Sequence, residues 1–438
     1  AMFTLQASQR RRRLPQQPKN KRRTTAGVLA MRYHCDYQPS LLGDAPQVLH
    51  IGPWRLHYLA FSRHATDPRP PVLLLGGAFQ SFRSFSGEVA ELLNEHPVIL
   101  LDLPSQGGNL QLAAELSLDQ LADLIAAFID ELQLPPVMPI GLSYGSALAA
   151  LFAARHPRHC ARLLLSGITA LARPGARRLL QEGLDLLSGE QPGAFAQGAL
   201  TGLLNPLHAQ DTGVSPVFRK ALLRQMQRLT PMEIERYQQN TRRLLSFSGF
   251  EAYPECPTLL LAGEHDHFTQ PWEHARFAAA CRDADCVLIH QADHLAQFER
   301  REACARLYNP FLRGEALPTV TPGASRLARS QLLQLNKRHE TRRAPLSRRA
   351  TLRQADGGEW SVEISELGFF GGLLQGNLPT AEGRGWQLQL ADHSQHALLP
   401  LRHDRSGLAF VFVHSDAAAS AALAAQLQPN RLPAAACA

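Results

Sequence analysis

The sequence predicts a doubly wound, mostly parallel α/β sheet with a helical lid, followed by a small β-barrel. Three observations support this fold class. Between residues 48 and 312, short apolar runs alternate with helical segments, as expected when helices cover both faces of a parallel sheet. Residues 169–245 interrupt this alternation with helical sequence rich in Leu and Arg. Beyond residue 336, short alternating strands separated by Gly, Asp and Asn turns indicate a small all-β domain.

The predicted sheet begins with a hairpin and continues with runs rich in Leu, Val and Ile, which are typical of strands buried on both faces. The clearest predicted helix begins with the capping box Ser117-x-x-Gln120, and apolar side chains from Leu121 to Leu132 share one of its faces. The candidate strands are Val48–Phe61, Val72–Gly76, Val98–Leu103, Val137–Leu142, Arg162–Ser166, Thr258–Ala262 and Cys286–His290.

Composition changes along the chain suggest where its parts begin and end. The first part is basic and has the composition of a disordered tail, and a stretch containing Pro, Gly and Ser follows the α/β region. The predicted parts are a tail at 1–45, an α/β domain at 46–312 with its lid at 169–245, a linker at 313–335, a β-barrel at 336–416 and a helix or tail at 417–438.

The net charge of +7 is unevenly distributed. Residues 1–32 carry +9 and residues 313–353 carry +8, while the α/β region between them is mildly acidic. A nucleic-acid-binding body would carry the positive charge on its folded face, so we expect no nucleic-acid partner. The seven cysteines include no Cys-x-x-Cys pair, which favours reduced thiols in the cytoplasm. No apolar run approaches the ~18 residues of a membrane span.

A nucleophilic serine is predicted at Ser143. Gly141-Leu142-Ser143-Tyr144-Gly145 matches the Gly-x-Ser-x-Gly elbow, in which the glycines let a strand turn sharply into a helix. A five-residue pattern recurs by chance, and a structural turn is the alternative. The context favours the elbow, because an apolar run precedes the motif and an Ala/Leu helix follows it.

A serine nucleophile needs a base and an orienting carboxylate. Asp266 and His294 each follow a predicted strand, in the order Ser, acid, His that this fold uses. Glu264 is the rival acid, and His290 is the rival base, although its position at a strand end favours a packed or capping histidine.

The oxyanion of an acyl-transfer intermediate needs two backbone N–H donors. We assign them to Tyr144, which follows the nucleophile, and to Ala78, in the glycine-rich loop after an early strand. The run His265-Asp266-His267 and the spacing of His290 and His294 could also suggest a metal. Polar loop residues around the acid are the favoured interpretation, so no metal is expected.

Together these motifs resemble the α/β-hydrolase superfamily over some 260 residues. Within it, the chain is most similar to the acyltransferase that makes the lipid precursor of rhamnolipids. That resemblance implies the joining of two 3-hydroxyacyl groups, delivered on acyl carrier protein, into a 3-(3-hydroxyalkanoyloxy)alkanoic acid. The motifs are Gly76-Gly77-Ala78-Phe79, Asp102-Leu103-Pro104, the serine elbow, Leu229–Tyr237 in the lid, Gly263–Thr269 and Ala292-Asp293-His294.

A carrier protein is acidic, so an acyltransferase of this kind would benefit from a positive face. The lid is rich in cations, and a solvated helix surface is the alternative interpretation of them. The cations considered for such a face are Arg173, Arg177, Arg178, Arg219, Lys220, Arg224 and Arg228.

The start of the predicted barrel carries a second motif. Arg338-His-Glu-Thr-Arg342 is followed by Arg343, and Glu363-Ile-Ser365-Glu-Leu-Gly368 comes about twenty residues later. Two arginines at this spacing can clamp phosphates and stack on guanine faces. The pair, the Ser-x-x-Gly and the short strands resemble the PilZ domain, a bacterial receptor for cyclic di-GMP. That family usually has Asp or Asn where this chain has Glu363.

The sequence therefore predicts a cytoplasmic serine enzyme that acts on 3-hydroxyacyl thioesters or esters and is regulated by cyclic di-GMP as an allosteric ligand, with no cofactor for catalysis. One alternative is a carboxylesterase or thioesterase, which would use water as the acceptor. Another is a cyclic di-GMP signalling adaptor that uses the hydrolase body as a docking scaffold. A PilZ-like fold that serves only in protein docking is the alternative for the C-terminal domain.

Overall fold

A computed structural model describes residues 31–427, apart from 170–172, 338, 346, 377 and 379–382. Two units follow one another along the chain. The first is an α/β unit built on a nine-stranded sheet, and the second is a closed antiparallel barrel of six strands. Both parts of the predicted fold class are confirmed.

The nine-stranded sheet has the order β1-β2-β4-β3-β5-β6-β7-β8-β9. Strands from β3 to β8 pair in parallel, whereas β1, β2 and β9 lie antiparallel to their neighbours. The strands are β1 (Gln47–Ile51), β2 (Trp54–Phe61), β3 (Val72–Leu75), β4 (Val98–Asp102), β5 (Met138–Leu142), β6 (Leu163–Ser166), β7 (Thr258–Gly263), β8 (Ala284–Ile289) and β9 (Ala324–Arg326).

Helices cover both faces of this sheet, so its apolar strands are buried on two sides. One core contains α2, α3 and α8, and the other contains α1, α9 and α10. The capping box predicted at Ser117 is present at the start of α2. The helices outside the lid are α1 (Ser86–Leu92), α2 (Leu118–Glu131), α3 (Tyr144–Arg155), α8 (Pro271–Ala280), α9 (Ala296–Glu299) and α10 (Arg301–Arg313).

The lid segment lies between β6 and β7. Each of its four helices has a proline in the first turn, where the missing N–H costs no hydrogen bond. The lid helices are α4 (Pro174–Ser188), α5 (Pro192–Leu203), α6 (Pro216–Gln227) and α7 (Pro231–Ser246).

The barrel closes in the order β10-β11-β12-β15-β14-β13, with every pairing antiparallel. Its core is filled by large side chains such as Trp386, Phe410 and Phe412, and Leu423 of the following helix α11 (Ala417–Leu427) packs into it. The strands are β10 (Arg349–Arg353), β11 (Glu359–Leu367), β12 (Gly371–Gln375), β13 (Trp386–Gln389), β14 (Gln395–Asp404) and β15 (Gly407–Phe412).

Two segments differ from the sequence prediction. The described end of the predicted disordered tail is ordered: Met31 and Tyr33 are buried in the core, and His34 bridges Phe61 at the end of β2. The predicted linker contributes β9, which adds an antiparallel edge to β8. A three-residue strand with two polar residues is too short to show an alternating pattern. The Pro, Gly and Ser residues around it therefore indicated a linker.

Candidate active site

Ser143 lies in the turn between β5 and α3. Its φ angle of +50° is in the left-handed region, where residues other than glycine are strained. The flanking glycines make the turn possible: a Cβ on Gly141 would lie 2.6 Å from the carbonyl oxygen of Gly145, and one on Gly145 would overlap that of Leu75. The turn leaves the serine hydroxyl at the N-terminus of α3.

A chain of hydrogen bonds runs from Ser143 through His294 to Asp266. The serine Oγ lies 2.9 Å from Nε2 of His294, and Nδ1 of the same ring lies 2.9 Å from Oδ2 of Asp266. The side chains of the histidine and the aspartate are each 1% exposed. This is the geometry in which an imidazole can take the proton of a serine hydroxyl while a buried carboxylate orients the ring.

Thr269 holds the carboxylate of Asp266 in place. Its backbone N–H donates to Oδ1 at 2.8 Å, and its hydroxyl donates to Oδ2 at 2.7 Å. Burial alone would raise the pKa of Asp266, but the adjacent His294 ring and these hydrogen bonds lower the pKa below its usual value. The acid is therefore kept ionised. Thr269 was not among the predicted site residues, although it closes the motif that begins at Gly263.

The rival residues lie outside this chain of contacts. The carboxylate of Glu264 accepts the N–H of Gln291 at 2.8 Å, and the ring of His290 pairs with the hydroxyl of Ser325 at 2.8 Å. Among the described residues, no group of three His, Cys, Asp or Glu side chains is arranged to hold a metal.

The two backbone N–H groups assigned to the oxyanion are available. Among the described residues, neither Ala78 nor Tyr144 donates its N–H to a protein acceptor. The loop of Ala78 runs directly against the serine, since a Cβ on Gly77 would lie 3.1 Å from the Cβ of Ser143. An anion that forms beside Oγ would meet donors from both segments.

A second carboxylate, Glu299, holds the loop that carries His294. Its Oε2 accepts the N–H of Asp293 at 2.8 Å, and its Oε1 accepts the N–H of Leu295 at 3.1 Å. Burial raises the pKa of Glu299 to about 7. Asp293 in turn accepts the N–H of His294 and, at 2.5 Å, the N–H of Asn205 in the lid. Glu299 and Asn205 were not among the predicted site residues, and Asp293 was named only as part of a motif, without this role.

Ser143 and His294 open into a cavity of about 350 Å³, within the range of small-molecule sites. Its walls are mostly apolar and come from three parts of the chain. The α/β unit contributes Phe79 and Phe268, the lid contributes many Leu, Ala and Phe side chains, and the barrel contributes its own surface. The barrel residues at this cavity are Phe370, Phe412, Val413 and His414.

A family model described as the alpha/beta hydrolase fold matches residues 70–301, more than half of the chain. The chain belongs to this family. The matched range contains Ser143, Asp266 and His294 and ends before the barrel.

Two proteins of Pseudomonas putida are similar to this α/β hydrolase in sequence. The 2-hydroxy-6-oxononadienedioate/2-hydroxy-6-oxononatrienedioate hydrolase 2 is 25% identical over 272 residues, which cover 59% of this chain and 92% of that protein. The (R)-3-hydroxydecanoyl-ACP:CoA transacylase is 22% identical over 257 residues, which cover 57% and 84%. The relatives therefore include both a hydrolase and an acyltransferase.

Solved structures share the fold of the α/β unit. A hydrolase from Pseudomonas aeruginosa superimposes with a TM-score of 0.52 at 19% identity and covers 61% of this chain and 98% of that one. The enol-lactonase from Burkholderia xenovorans has a TM-score of 0.51 at 19% identity, with coverage of 61% and 100%.

The arginine segment of this α/β hydrolase lies alongside the strand that carries the predicted Ser-x-x-Gly. Arg343 and Leu367 exchange backbone hydrogen bonds of 3.0 and 2.8 Å, which brings the segment beside Gly368. Arg342 and Arg343 are exposed. Arg338 lies outside the described residues. The described part of the arginine segment thus lies beside the end of β11 that leads into Gly368.

The two remaining polar side chains of this motif already have partners. The hydroxyl of Ser365 donates to the carbonyl oxygen of Leu373 at 3.1 Å, at a bulge in β11. Glu363 is exposed and pairs with Arg348 at 3.6 Å.

Glu340, in the middle of the arginine segment, occupies the space beside Gly368. A Cβ on that glycine would lie 2.5 Å from Oε1 of the glutamate. The carboxylate accepts the N–H of Phe370 at 3.0 Å and lies 3.7 Å from Nε of Arg342. Burial raises the pKa of Glu340 to about 7. The neighbouring residue His339 packs near His267, with ring centroids 6.3 Å apart.

Proposed function

We propose that this α/β hydrolase is a serine acyltransferase that acts on lipid-type acyl thioesters or esters. Ser143 Oγ attacks the acyl carbonyl while His294 takes its proton, and the N–H groups of Ala78 and Tyr144 stabilise the oxyanion. The intermediate collapses to an acyl-serine, and the imidazolium gives its proton to the leaving thiol or alcohol. Asp266 keeps the ring oriented throughout.

The second half of the reaction regenerates the serine. An acceptor hydroxyl gives its proton to His294 and attacks the acyl-serine carbonyl, and the new ester leaves as the proton returns to Oγ. The acceptor that we propose is the 3-hydroxyl group of a second acyl chain. The mostly apolar lining of the pocket supports this proposal, because an alcohol competes with water for the acyl-enzyme only where water is excluded.

The observation that carries the proposal is the hydrogen-bonded chain from Asp266 to Ser143, which opens into an apolar cavity. Two further facts support a lipid-type substrate. The aromatic rings of Phe79, Phe195 and Tyr237 pack on one another at this cavity, and one relative is named as an acyltransferase for a 3-hydroxydecanoyl group.

Delivery on an acyl carrier protein is supported by only part of the cationic set in the lid. Arg173 points inward and binds Glu273 at 3.0 Å, and Arg177 donates to the carbonyl of Leu245. Arg219 is half-buried and donates to the carbonyl of Leu204 at 2.8 Å. The prediction of one outward cationic face was wrong for these three, because each binds a carbonyl or carboxylate inside the protein.

Arg178 is exposed on α4, and the other three exposed cations lie on α6 or directly after it. Lys220, Arg224 and Arg228 are exposed, and no ion pair with a described residue engages them. The same helix presents Phe218 and Gln225 to the cavity. We propose that an acidic carrier docks on this helix, with charge reversal at Arg224 as the test: turnover of carrier-bound acyl groups should fall while turnover of small esters does not.

The test of the reaction is mass spectrometry of the products formed from a 3-hydroxyacyl carrier protein, with and without coenzyme A. The unsubstituted enzyme and Ser143→Ala are compared. A serine-dependent dimeric hydroxy-acid ester supports the proposal. Free 3-hydroxy acid alone identifies a thioesterase, and an acyl-coenzyme A product identifies a thiol acceptor. The absence of any turnover would favour the adaptor alternative.

We also propose that cyclic di-GMP binds the barrel as an allosteric ligand in the cytoplasm. The arginines Arg338, Arg342 and Arg343 would hold its phosphates, and Glu363, Ser365 and Gly368 would line the guanine site. The adjacency of Arg343 and Leu367 supports this location. The arginine segment also carries His339, which packs beside the acid loop at His267, so ordering of the segment can change the active site.

Calorimetric titration of the full chain with cyclic di-GMP tests this ligand. Binding that is lost in Arg342→Ala and in Arg343→Ala supports the assignment. Binding that is unchanged by both substitutions contradicts it. A ligand that binds without altering turnover separates a receptor from a regulator.

A further inference from the structure

Side chains along the last barrel strand, β15, point alternately into the barrel core and away from it, towards the lid. Phe410 and Phe412 of β15 point into the barrel core. Val411, which lies between them in the strand, points the opposite way, as alternate side chains on a strand must, and faces the lid. Val413 directly follows the strand and lies outside the barrel core, and it lines the cavity, as Phe412 also does.

Close packing fixes this surface against the lid. A Cβ on Gly198 of α5 would lie 2.9 Å from the carbonyl oxygen of Val413, and one on Gly175 of α4 would lie 3.2 Å from Cγ1 of Val411. The lid backbone thus approaches the barrel at two glycines. Arg384 of the barrel adds an ion pair of 3.5 Å with Asp185 of α4.

The barrel also meets the loop of the triad acid. The ring of Phe370 stacks on His267, with centroids 3.6 Å apart and planes 8° from parallel. His414, at the cavity, is held from inside the barrel unit: Nε2 pairs with the carbonyl of Phe369 at 2.8 Å and Nδ1 with the hydroxyl of Ser420 at 2.9 Å. These hydrogen bonds hold His414 to the rest of the barrel unit, and the stacked rings join the barrel to the acid loop.

We propose that the barrel is a structural wall of the acyl pocket and that Val413 and Phe370 determine how long an acyl chain the pocket accepts. This inference rests on the proposed acyl chemistry at Ser143. It assigns to the barrel a second role, in substrate selection, which does not require any ligand on the barrel.

The size of the expected effect follows from burial of apolar groups. Each methylene moved from water into such a pocket changes affinity by about fourfold. Removing space at Val413 should therefore reduce kcat/KM for the longest accepted chains by at least that factor, and adding space should extend the range. Short chains that do not reach the barrel should be affected little by either change.

The test uses the full chain and nitrophenyl esters of increasing acyl length. Val413→Phe should shorten the preferred chain and Val413→Ala should lengthen it. Val411→Ala is the matched control, because this valine lies two positions earlier, in β15, and contacts the lid rather than the cavity. Thermal unfolding shows whether each variant is folded.

A second pair of variants tests the same wall without altering any residue that lines it from the barrel. Gly198→Ala places a methyl group against the Val413 carbonyl and should broaden the chain-length profile by displacing the wall. Gly193→Ala, in the same helix, has no neighbour within 4 Å of its new Cβ and should leave the profile unchanged. Profiles of Val413→Phe, Val413→Ala and Gly198→Ala that are identical to that of the unsubstituted enzyme would overturn the inference.

A binding measurement separates failure of this inference from failure of the proposed function. In the Ser143→Ala background, affinities for a series of 3-hydroxy fatty acids are measured by calorimetry with and without Val413→Phe. A shift of the preferred length supports the wall even if the enzyme has no acyltransferase activity. Equal affinities at every length overturn the wall even if Ser143-dependent turnover is found.

Discussion

Removal of Arg173 should destabilise the protein far more than removal of a surface arginine. Its Nε lies 3.0 Å from Oε2 of Glu273, with side-chain exposures of 17% and 4%. Its Nη2 donates to the carbonyls of His267 and Phe268, at 2.7 Å each. The arginine therefore ties the start of α4 to the acid loop and compensates a buried carboxylate.

The expected loss in the free energy of unfolding follows from the unpaired Glu273 carboxyl that Arg173→Met leaves buried. Breaking a buried ion pair from one side costs about 3–5 kcal/mol. We expect about 3 kcal/mol, because burial raises the pKa of Glu273 even with its partner present, so the unpaired carboxyl can take up a proton. For a unit of this size, that loss lowers Tm by roughly 6–12 °C. The loss should be smaller at acidic pH, where the carboxyl is already neutral.

A double-mutant cycle with Glu273→Gln provides the decisive measurement. The double variant should recover at least about 1.5 kcal/mol relative to the sum of the two single changes. The exposed pair Arg155 and Asp123, whose atoms lie 2.9 Å apart, is the matched control and should show a coupling below about 1 kcal/mol. A coupling at Arg173 no larger than this control would refute the reasoning.

Three further predictions concern single residues. Thr269→Val should lower kcat/KM for ester substrates about tenfold, since a hydrogen bond to a charged group such as Asp266 contributes about 1.5 kcal/mol. The control variant is Thr258→Val, which loses only a hydrogen bond to a neutral carbonyl. Burial raises the pKa of Glu299 to about 7. Between the lower pKa of this residue in the unfolded chain and about 7, the folded chain therefore holds a proton that the unfolded chain has released. The free energy of unfolding consequently falls as pH rises through this window. Urea titrations across that window should show a shallower fall for Glu299→Gln. If cyclic di-GMP binds beside Glu340, affinity should fall as pH rises through about 7 and this carboxyl ionises; calorimetry on Glu340→Gln should show no such fall, and parallel curves would contradict the placement.

The sequence predicted the features that depend on local pattern. The elbow at Ser143, the acid at Asp266 and the histidine at His294 each follow a strand, and strand ends meet at one edge of a parallel sheet. Their convergence within hydrogen-bond distance therefore follows from the sheet topology once the strands are assigned correctly. The six-stranded barrel was also predictable, because its strands alternate regularly and are separated by turn residues.

Features that depend on tertiary docking were not predictable in this way. Arg173 stands in a run of exposed cations, and only the packing of α4 against the acid loop shows that it points inward. Val413 lies beyond the last barrel strand, and nothing in its neighbourhood indicates that it lines a cavity formed by another unit. The strand Ala324–Arg326 is three residues long and exists because the edge of β8 is available to pair with it.

Val413 is synthesised long after Ser143, so the catalytic residues and the barrel wall that covers them form at different times. Domains generally fold as units, beginning nearest the N-terminus, so the α/β unit can assemble its serine, histidine and aspartate while the barrel is still being made on the ribosome. In the proposed acyltransferase, a chain whose barrel has not docked should let water reach the acyl-serine from the side that the barrel later covers and should behave as a hydrolase. Docking of the barrel should then favour an alcohol acceptor over water.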